Sequence, residues 1–411
     1  MRVEIKPGTL RGTIPAPPSK SMAHRALIAA ALADGVSTVE NVAPSEDLLA
    51  TMDCLRALGA SVEHDGNCAR VHGVSPERFP DGAVLPCRGS GSTLRFLIPL
   101  TIVSGKEITF TGSKRLFERP LGVYEDICRE QGLLFDRSDV SLTVRGRLTP
   151  GVCSVPGNVS SQFISGLAFA LPLLAGDSVL KLVPPVESRP YVEMTGRVLG
   201  RFGVTAALQG DEMPIPGAQR YLPRDFRVEG DWSNAAFLLA LNALGGQVEV
   251  TGLAGDSVQG DRVILPYLDA LRSGAPTLDL RHCPDLGPVC MVLAAALNGA
   301  VFTGVRRLRS KESDRIASIA SELAKCGVTA EIEADRVTIP GGALRSPCAP
   351  LDGHGDHRVV MALAVLSTVT GGVIRGAEAV SKSWPDFFHA LRLLGADCTV
   401  SEGVNEHGYD L

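Results

Sequence analysis

Small polar residues and cations are concentrated where helices are predicted to begin in this 411-residue chain. Such segments include residues 19–21, 89–93, 160–162, 285 and 356–358. A helix start presents free backbone N–H groups and the positive end of the helix dipole, which together bind anions. Four cations are placed to strengthen such sites: Lys20, Arg25, Arg95 and Arg358. The alternative is that serine and aspartate here are only helix caps, worth about 1 kcal/mol each.

Two loops also carry dense charge, and both lie close to predicted helix starts. Residues 308–315 read LRSKESDR, and residues 112–120 read GSKRLFERP. Lysine and arginine in such segments are good ligands for phosphate and carboxylate groups. A charge run is more often a solvated surface, and we expect no more than that of Lys114, Arg115 and Asp314.

Signals for nucleotide cofactors and metals are missing from the sequence. It has no GxxxxGK[ST] phosphate loop, and residues 89–91 lack the third glycine of a dinucleotide fingerprint. None of the ten cysteines forms a CxxC motif, and no histidine lies at zinc-ligand spacing from a cysteine pair. We therefore expect no cofactor and no metal, and we expect the cysteines to be small buried residues in a reducing compartment.

Composition and charge exclude several other classes of protein. The chain is 45% hydrophobic and 21% charged, which is typical of globular proteins. A net charge of −5 provides no general attraction for nucleic acid or acidic membranes. The longest apolar run, near residues 163–175, is too short to span a bilayer. The N-terminal sequence lacks the apolar core of a signal peptide, so we predict a cytoplasmic protein that binds no membrane.

One pattern recurs six times along the chain: an apolar helix, a glycine, a short strand, an amphipathic helix and a closing strand. The glycines that follow the first helix mark the copies: Gly35, Gly105, Gly176, Gly245, Gly299 and Gly371. Residues 209–227 are rich in proline and glycine and separate the third copy from the fourth. We predict an α/β protein in which residues 15–225 form one domain and residues 1–14 plus 226–411 form the other.

Eight segments, in order along essentially the whole chain, closely resemble motifs of the EPSP (5-enolpyruvylshikimate-3-phosphate) synthase family. They are PPSKSMAHR (17–25), GSGSTLRFL (89–97), ERP (118–120), VSSQF (159–163), SRPY (188–191), SKESDR (310–315), GDHR (355–358) and KSWPDFF (382–388). Three residues depart from the usual pattern, because Gly89 and Arg307 stand where asparagine is common and Ser92 where threonine is common.

The resemblance implies a fold and a reaction. The fold has two similar domains, each of three βαβαββ-like repeats with helices inside and sheets outside, and a cleft between the domains. The reaction transfers the enolpyruvyl group of phosphoenolpyruvate to the 5-hydroxyl of shikimate 3-phosphate and releases phosphate. It belongs to the shikimate pathway, which leads through chorismate to the aromatic amino acids. The resemblance further implies a monomer that needs no cofactor, with phosphoenolpyruvate as co-substrate and glyphosate as inhibitor.

The resemblance also implies which residues bind the two substrates. Those for shikimate 3-phosphate are Lys20, Ser21, Arg25, Ser160, Ser161, Gln162, Ser188, Tyr191, Asp285 and Lys311. Those for phosphoenolpyruvate are Lys20, Gly91, Arg119, Gln162, Arg315, Arg358 and Lys382. Within the first set the three serines would hold the phosphate and Arg25 the carboxylate.

Four residues are the implied proton-handling groups: Asp285, Glu312, Lys20 and His357. A carboxylate beside the hydroxyl suits a general base, and we assign that role to Asp285. Glu312 would deliver a proton to the methylene carbon, and Lys20 would protonate the bridging oxygen of the departing phosphate. The division of these steps among Glu312, Lys20 and His357 stays open.

Two alternative functions are less consistent with the sequence. The related enolpyruvyl transferase for UDP-N-acetylglucosamine typically has a reactive cysteine in a basic glycine-rich loop, and residues 113–120 contain none. A non-catalytic relative of the same fold would be expected to lack some of the reactive groups, yet Lys20, Asp285, Glu312 and Lys382 are all present.

Overall fold

The computed structural model describes residues 1–342 and 344–401. The chain divides into two compact units, each with its own hydrophobic core. Unit 1 comprises Met1–Pro17, Gly230–Ser257 and the chain from Asp261 onward, and unit 2 comprises Pro18–Glu229 with Val258–Gly260.

The chain begins with two strands of unit 1, β1 (Arg2–Ile5) and β2 (Arg11–Pro15). The helices of unit 2 are α1 (Lys20–Leu32), α2 (Glu46–Ala57), α3 (Gly91–Ser104), α4 (Lys114–Glu118), α5 (Gly122–Glu130), α6 (Ser161–Ala170) and α7 (Arg189–Arg201). Its strands are β3 (Val36–Glu40), β4 (Ser61–Asp65), β5 (Cys68–His72), β6 (Ala83–Arg88), β7 (Ile108–Gly112), β8 (Leu134–Arg137), β9 (Ser141–Arg145), β10 (Val152–Pro156), β11 (Ser178–Val183), β12 (Glu212–Ile215) and β13 (Phe226–Arg227).

The rest of the chain belongs almost entirely to unit 1. Its helices are α8 (Trp232–Ala243), α9 (Ile264–Ser273), α10 (Gly287–Ala296), α11 (Arg315–Lys325), α12 (His357–Thr370) and α13 (Phe387–Leu393). Its strands are β14 (Gln247–Thr251), β15 (Thr277–Asp279), β16 (Gly299–Thr303), β17 (Glu331–Ile332), β18 (Arg336–Pro340), β19 (Leu351–Asp352), β20 (Gly372–Arg375) and β21 (Cys398–Ser401). Short 3₁₀ turns at Pro284–Leu286, Arg306–Ser310 and Ala377–Lys382 also matter for the site.

The sheets reproduce the repeat that the sequence predicts. In unit 2 the strand orders are β13-β3-β5-β4, β6-β7-β9-β8 and β10-β11-β12. In unit 1 they are β14-β2, β15-β16-β18-β17 and β19-β20-β1-β21. Each sheet contains one parallel pair, and the longer sheets add antiparallel strands to it. The order β6-α3-β7-α4-α5-β8-β9, for example, is a βαβαββ repeat in which the short helix α4 precedes the second helix α5.

Two strands determine where the units begin and end. β2 precedes α1 along the chain but pairs with β14 in unit 1, whereas β13 precedes α8 but pairs with β3 in unit 2. The boundaries after residues 17 and 229 therefore lie three and four residues beyond the predicted ones at 14 and 225. The grouping of residues 1–14 with residues 226–411 already follows from the sequence pattern, whereas the pairing of β13 with β3 does not, because a short strand is assigned to a unit by its pairing partner.

The first helix of each repeat is the inner element. Nearly all residues of α1, α3, α10 and α12 are buried, as expected for helices that are apolar on every side. The strands instead alternate buried and exposed residues, as in β1, where Val3 and Ile5 are buried and Arg2 and Glu4 are exposed. Helices therefore lie inside and sheets outside, with one sheet face towards solvent. No helix within the described residues is long and apolar enough to cross a membrane.

Candidate active site

Lys20 opens helix α1 and is held by a carboxylate of the neighbouring helix. Its Nζ lies 2.7 Å from Oδ2 of Asp47, in the first turn of α2, and both side chains are mostly buried. Burial, together with the charges of Lys20 and Arg25, holds the pKa of nearby His24 well below its ordinary value. His24 is therefore neutral, and the positive charge at the start of α1 comes from Lys20 and Arg25.

Arg25 is buried among neutral oxygen atoms one turn further along α1. It donates from Nε to Thr195 Oγ1 at 2.8 Å, and from Nη1 and Nη2 to the carbonyls of Ser21 and Tyr191 at 2.7 and 3.1 Å. Burial lowers the pKa of Arg25 to about 10, so the guanidinium is charged at neutral pH. None of these three partners carries a negative charge. An anion is the complement that such a group favours.

Gly91 begins α3 and lies directly against the guanidinium of Arg119. The helix is capped by Ser90, whose hydroxyl accepts from the backbone N–H of Thr93 at 3.3 Å. A Cβ atom at position 91 would lie 2.5 Å from Nη1 and 2.8 Å from Cζ of the buried Arg119. A Cβ at this position would press on the Arg119 guanidinium, so glycine lets this cation lie against the helix start. The structure thus joins two residues predicted for phosphoenolpyruvate.

Gln162 is fixed by two polar contacts at the start of α6. Its Oε1 accepts from Arg95 Nη1 at 2.8 Å, and its Nε2 donates to Ser92 Oγ at 2.9 Å. Arg95 also donates to the carbonyl of Pro120 at 2.9 Å, next to Arg119. The starts of α3 and α6 are therefore connected side by side. Arg95 was noted in the sequence as a cation at a helix start, but its support of Gln162 depends on packing.

The three predicted phosphate-binding serines occupy two helix starts. Ser160 caps α6 by accepting from the N–H of Gln162 at 3.3 Å, and the buried Ser161 is the first residue of that helix. Ser188 immediately precedes α7 and is buried, with a left-handed backbone at φ 53° that is uncommon for residues other than glycine. The contact of Ser160 with Gln162 is therefore a helix cap. All three serines also lie at helix starts, where anion binding is favourable.

In unit 1, Arg315 gathers three carboxylates at the start of α11. Its Nε donates to Asp356 at 2.8 Å, Nη1 to Asp285 at 2.7 Å and Nη2 to Glu312 at 2.9 Å. Burial alone would lower the pKa of Arg315, but the three carboxylates raise it above its ordinary value. Arg315 was predicted to bind phosphoenolpyruvate. In this arrangement its side chain is 2% exposed and organises the acidic groups instead.

Asp285 lies in the 3₁₀ turn before α10, where cations meet its carboxylate from both sides. Oδ1 is 3.3 Å from Lys311 Nζ and 2.7 Å from Arg315 Nη1, and Oδ2 is 3.6 Å from Arg358 Nη2. Burial raises the pKa of this carboxyl, but the three cations together hold it well below its ordinary value. Asp285 is therefore an ionised proton acceptor that is 19% exposed.

Lys311 is the cation of this cluster whose charge is least secure. Burial lowers the pKa of Lys311 to about 8, and the charges of Arg315 and Arg307 act in the same direction. The carboxylates of Asp285 and Glu312 oppose the effect without cancelling it. The ammonium form therefore titrates close to neutral pH, and a bound anion would stabilise it.

Asp356 and Arg358 flank the start of α12. Asp356 is fully buried and caps the helix by accepting from the backbone N–H of Arg358 at 2.9 Å, while Ser313 Oγ donates to it at 3.2 Å. Arg358 as a whole residue is 3% exposed, and its Cζ lies 5.8 Å from the Phe237 ring centroid. Among the residues that the structure describes, none forms a hydrogen bond with its Nε or Nη1. A buried guanidinium with two unused donor atoms is a site for a phosphate or carboxylate.

The remaining predicted residues of unit 1 lie at the same helix starts or in adjoining turns. Lys382 ends the 3₁₀ turn Ala377–Lys382 and donates to the carbonyl of Gly355 at 2.7 Å. Glu312 precedes α11 and is 20% exposed, and the buried His357 is the first residue of α12 with Nδ1 3.9 Å from Asp356 Oδ1. Shared ion pairs connect Asp285, Glu312, Arg315 and Arg358. Lys382 contacts the neighbouring loop at Gly355.

Two aspartates to which the sequence assigned no role form ion pairs with predicted site residues. Asp47 holds Lys20, and Asp356 holds Arg315. The only signal for Asp356 in the sequence is its position at a predicted helix start, within the GDHR segment. Asp47 has no comparable signal, because its partner is 27 residues away along the chain.

The described part of the chain contains no candidate metal site. Within residues 1–342 and 344–401, no group of three or more histidine, cysteine, aspartate or glutamate side chains could hold a metal ion. The ten cysteines are free thiols, eight of them buried, with Cys68 half-buried and Cys348 exposed.

The fold and the two sets of residues define a class of protein. Each unit is an α/β unit with buried cations at the starts of its inner helices, and unit 1 adds ionised carboxylates beside them. This combination is typical of an enzyme that binds small substrates carrying phosphate and carboxylate groups and moves protons on them.

Comparisons with known proteins identify the family. The EPSP synthase (3-phosphoshikimate 1-carboxyvinyltransferase) family model matches residues 5–391. The chain is 41% identical to the 3-phosphoshikimate 1-carboxyvinyltransferase of Clostridium kluyveri and 38% identical to that of Clostridium novyi, covering 96% of this chain and 97% of each relative. The chain belongs to the EPSP synthase family, whose members transfer the enolpyruvyl group of phosphoenolpyruvate to shikimate 3-phosphate.

Solved structures support the same fold. Two structures of EPSP synthase from Acinetobacter baumannii match with TM-scores of 0.79 and 0.78, at 22% and 20% identity, over 98% of this chain and 100% of theirs. The α/β fold class and the enzyme family predicted from the sequence are confirmed.

Proposed function

We propose that this chain catalyses enolpyruvyl transfer from phosphoenolpyruvate to the 5-hydroxyl of shikimate 3-phosphate, with specific roles for the residues described above. The observation that carries the proposal is the buried Arg358, whose Nε and Nη1 have no hydrogen-bond partner among the described residues, beside the ionised Asp285. An anion-binding group and a proton acceptor are thus adjacent, as this reaction requires.

The cations proposed to bind phosphoenolpyruvate lie at or beside helix starts. In unit 2 these are Lys20 and Arg119, with Gly91 allowing close approach at α3. In unit 1 they are Arg358 and Lys382, and Arg315 contributes by holding the carboxylates in place. A bound anion would accept hydrogen bonds from the Nε and Nη1 donors of Arg358.

Shikimate 3-phosphate is bound mainly by polar groups of α1, α6 and α7. Ser160, Ser161 and Ser188 bind its phosphate, and Arg25 binds its carboxylate. Ser21, Gln162 and Tyr191 contact the remainder, together with Lys311 and Asp285 of unit 1. The position of these side chains supports the assignment. They lie at helix starts, where backbone N–H groups and the helix dipole favour anions, or they are held in place by buried neighbours.

Proton transfer is assigned from charge state and surroundings. Asp285 accepts the proton of the attacking hydroxyl, because its carboxylate stays ionised at neutral pH. Its low pKa makes it a weak base in the free protein. A bound anion that offsets the charges of Arg358 and Lys311 raises this pKa towards the value that suits a base. Glu312, in its protonated form, supplies the proton to the methylene carbon as the hydroxyl oxygen bonds to the adjacent carbon, and it takes a proton back from the resulting methyl group when phosphate leaves. Lys20 protonates the leaving phosphate, and His357 is the alternative donor.

A phosphate-release assay tests the overall activity. Phosphate should appear only when both phosphoenolpyruvate and shikimate 3-phosphate are present, and a chelator should leave the rate unchanged. Activity with UDP-N-acetylglucosamine as acceptor, or no turnover with either acceptor, would contradict the proposal. We further propose that the enzyme is a cytoplasmic monomer without a cofactor. Light scattering on the purified active protein can test whether it is a monomer.

The titration of Lys311 predicts a pH dependence. Its ammonium form is present below about pH 8 and is lost as the pH rises through that value. Because the charged form binds anionic shikimate 3-phosphate, kcat/KM for this substrate should fall on the alkaline side. Lys311→Arg should move this fall to higher pH, since arginine stays charged. The measurement is a pH profile of both proteins, and identical alkaline limbs would show that Lys311 is not the titrating group.

Gly91→Ala should weaken glyphosate more than phosphoenolpyruvate. We propose that glyphosate occupies the phosphoenolpyruvate site as a longer molecule. The new methyl group would press on the Arg119 guanidinium, with its Cβ 2.5 Å from Nη1. Such overpacking costs about 1–3 kcal/mol, so roughly tenfold or more of the inhibitor affinity should be lost.

The matched control for this variant is Gly89→Ala in the same loop. A Cβ at Gly89 meets no atom within 4 Å among the described residues, so this change should leave both ligands nearly unaffected. Inhibition and substrate titrations on the three proteins make the comparison. Equal weakening of glyphosate and phosphoenolpyruvate by Gly91→Ala would refute the predicted selectivity.

A further inference from the structure

Glu322, near the end of α11, is a buried carboxylate to which none of the roles above applies. Its side chain is 1% exposed and accepts hydrogen bonds from Lys325 Nζ, His354 Nε2, Asp352 N and Ser321 Oγ at 2.7, 2.8, 2.9 and 3.2 Å. Burial of a charged carboxylate is tolerated only when it is paired and hydrogen-bonded in this way. Two of the four donors belong to the loop of residues 352–356.

The 352–356 loop has a tightly specified conformation. His354 has a left-handed backbone at φ 50°, and its N–H donates to Asp352 Oδ1 at 2.6 Å. A Cβ at Gly353 would lie 2.5 Å from Val360 Cγ2 and 2.9 Å from the carbonyl oxygen of Gly376. A left-handed backbone is uncommon for residues other than glycine and costs free energy, and the hydrogen bond between the His354 side chain and Glu322 is one of the contacts that offset this cost.

The same loop presents two groups to the anion site. The carbonyl of Gly355 accepts from Lys382 Nζ at 2.7 Å, and the Asp356 carboxylate accepts from Arg315 Nε at 2.8 Å. Helix α11 carries Arg315 at its first turn and Glu322 seven residues later. The helix rise separates these positions by about 10 Å. One rigid helix thus contacts the loop at both ends.

We propose that His354 is a positioning residue. Through its ion pair with Glu322 it holds the 352–356 loop so that Gly355 and Asp356 fix Lys382 and Arg315 in the phosphoenolpyruvate site. The inference rests on the function proposed above and extends it to residues that touch neither substrate.

The charges around His354 give the ion pair a pH range. Its hydrogen bond to Glu322 raises the pKa of His354 above the ordinary value, with Asp352 acting in the same direction and burial and Lys325 opposing. Burial raises the pKa of Glu322, but the hydrogen bonds from His354, Lys325 and Asp352 outweigh it and lower the pKa. The stabilisation by His354 is therefore complete below its ordinary pKa and is lost as the pH rises through the raised value. That by Glu322 is lost as the pH falls through its lowered value.

His354→Gln and His354→Asn test the proposal. Glutamine keeps an amide donor but does not titrate, whereas asparagine tolerates the left-handed backbone but is too short to reach Glu322. We expect His354→Asn to raise KM for phosphoenolpyruvate roughly threefold to tenfold at neutral pH with a smaller change in kcat. We expect His354→Gln to remove the rise of KM with pH that the unmodified enzyme shows near the His354 pKa. The alkaline limb due to Lys311 should persist in both.

His389→Asn is the matched control, because His389 is exposed on α13 of the same unit. Melting temperatures identify any variant that fails to fold, and amide exchange in residues 352–358 of the unmodified enzyme gives an independent readout. Exchange there should accelerate as the pH rises through the His354 pKa, beyond the ordinary base catalysis seen in α13. Folded His354 variants with unchanged KM and pH profile, or no such excess exchange, would overturn the proposal. Inactivity of the unmodified enzyme would instead refute the function on which it rests.

Discussion

Replacement of Asp285 by asparagine should lower kcat by about 10²–10⁴-fold, the range expected when a general base is removed. Asparagine keeps the size of the side chain but cannot accept the proton of the attacking hydroxyl. It also removes the charge that pairs with Arg315 and Lys311. Steady-state kinetics with both substrates measure the loss, and calorimetric titration with shikimate 3-phosphate shows whether binding survives.

Two further variants separate catalysis from structure at this position. The residue that caps α10 is Leu286, so helix capping gives Asp285 no structural role there. Near-normal turnover of Asp285→Ser would therefore mean that the carboxylate is not the base. Asp269→Asn on the exposed side of α9 removes a carboxylate in the same unit and should leave kcat unchanged. Melting temperatures are needed as well, because loss of one partner from a buried ion pair can cost about 3–5 kcal/mol of stability.

Replacement of Arg358 by lysine should reduce kcat/KM for phosphoenolpyruvate by roughly a hundredfold. Hydrogen bonds to charged groups contribute about 1.5–3 kcal/mol each, and lysine cannot reproduce the planar fork that Nε and Nη1 present. The charge is retained beside Asp285, which limits damage to the ion pairs of the free protein. The effect should therefore be seen mainly in substrate kinetics and only weakly in the melting temperature.

Arg392→Lys supplies the comparison for this change. Arg392 is exposed in the last turn of α13, and its replacement should alter neither kinetics nor stability. An Arg358→Lys enzyme with normal kcat/KM would remove the observation on which the proposed phosphoenolpyruvate site depends. A variant that binds shikimate 3-phosphate normally but has lost phosphoenolpyruvate affinity is the expected result.

The repeat architecture was accessible from the sequence because its signals are local. A helix that is apolar on all sides, as α3 is, must be buried wherever it lies. Gly105, at φ 77° after α3, ends that helix through a backbone conformation that glycine adopts readily. The placement of serines and cations at helix starts is equally local, so the class of anionic ligand could be predicted before any contact was known.

The pairing of β13 with β3 and the partners of the charged residues were decided only by the tertiary structure. Asp47 meets Lys20 from 27 residues away, and Asp356 meets Arg315 from 41 residues away. The sequence therefore identified Arg315 as a cation of the site but not as the centre of three carboxylates. Burial likewise depends on the whole fold, and it brings the pKa of Lys311 to about 8. Residue type and spacing determine which charges a helix start can offer. Distance and desolvation, which arise when remote segments pack together, determine which of those charges are neutralised and which are left for a substrate.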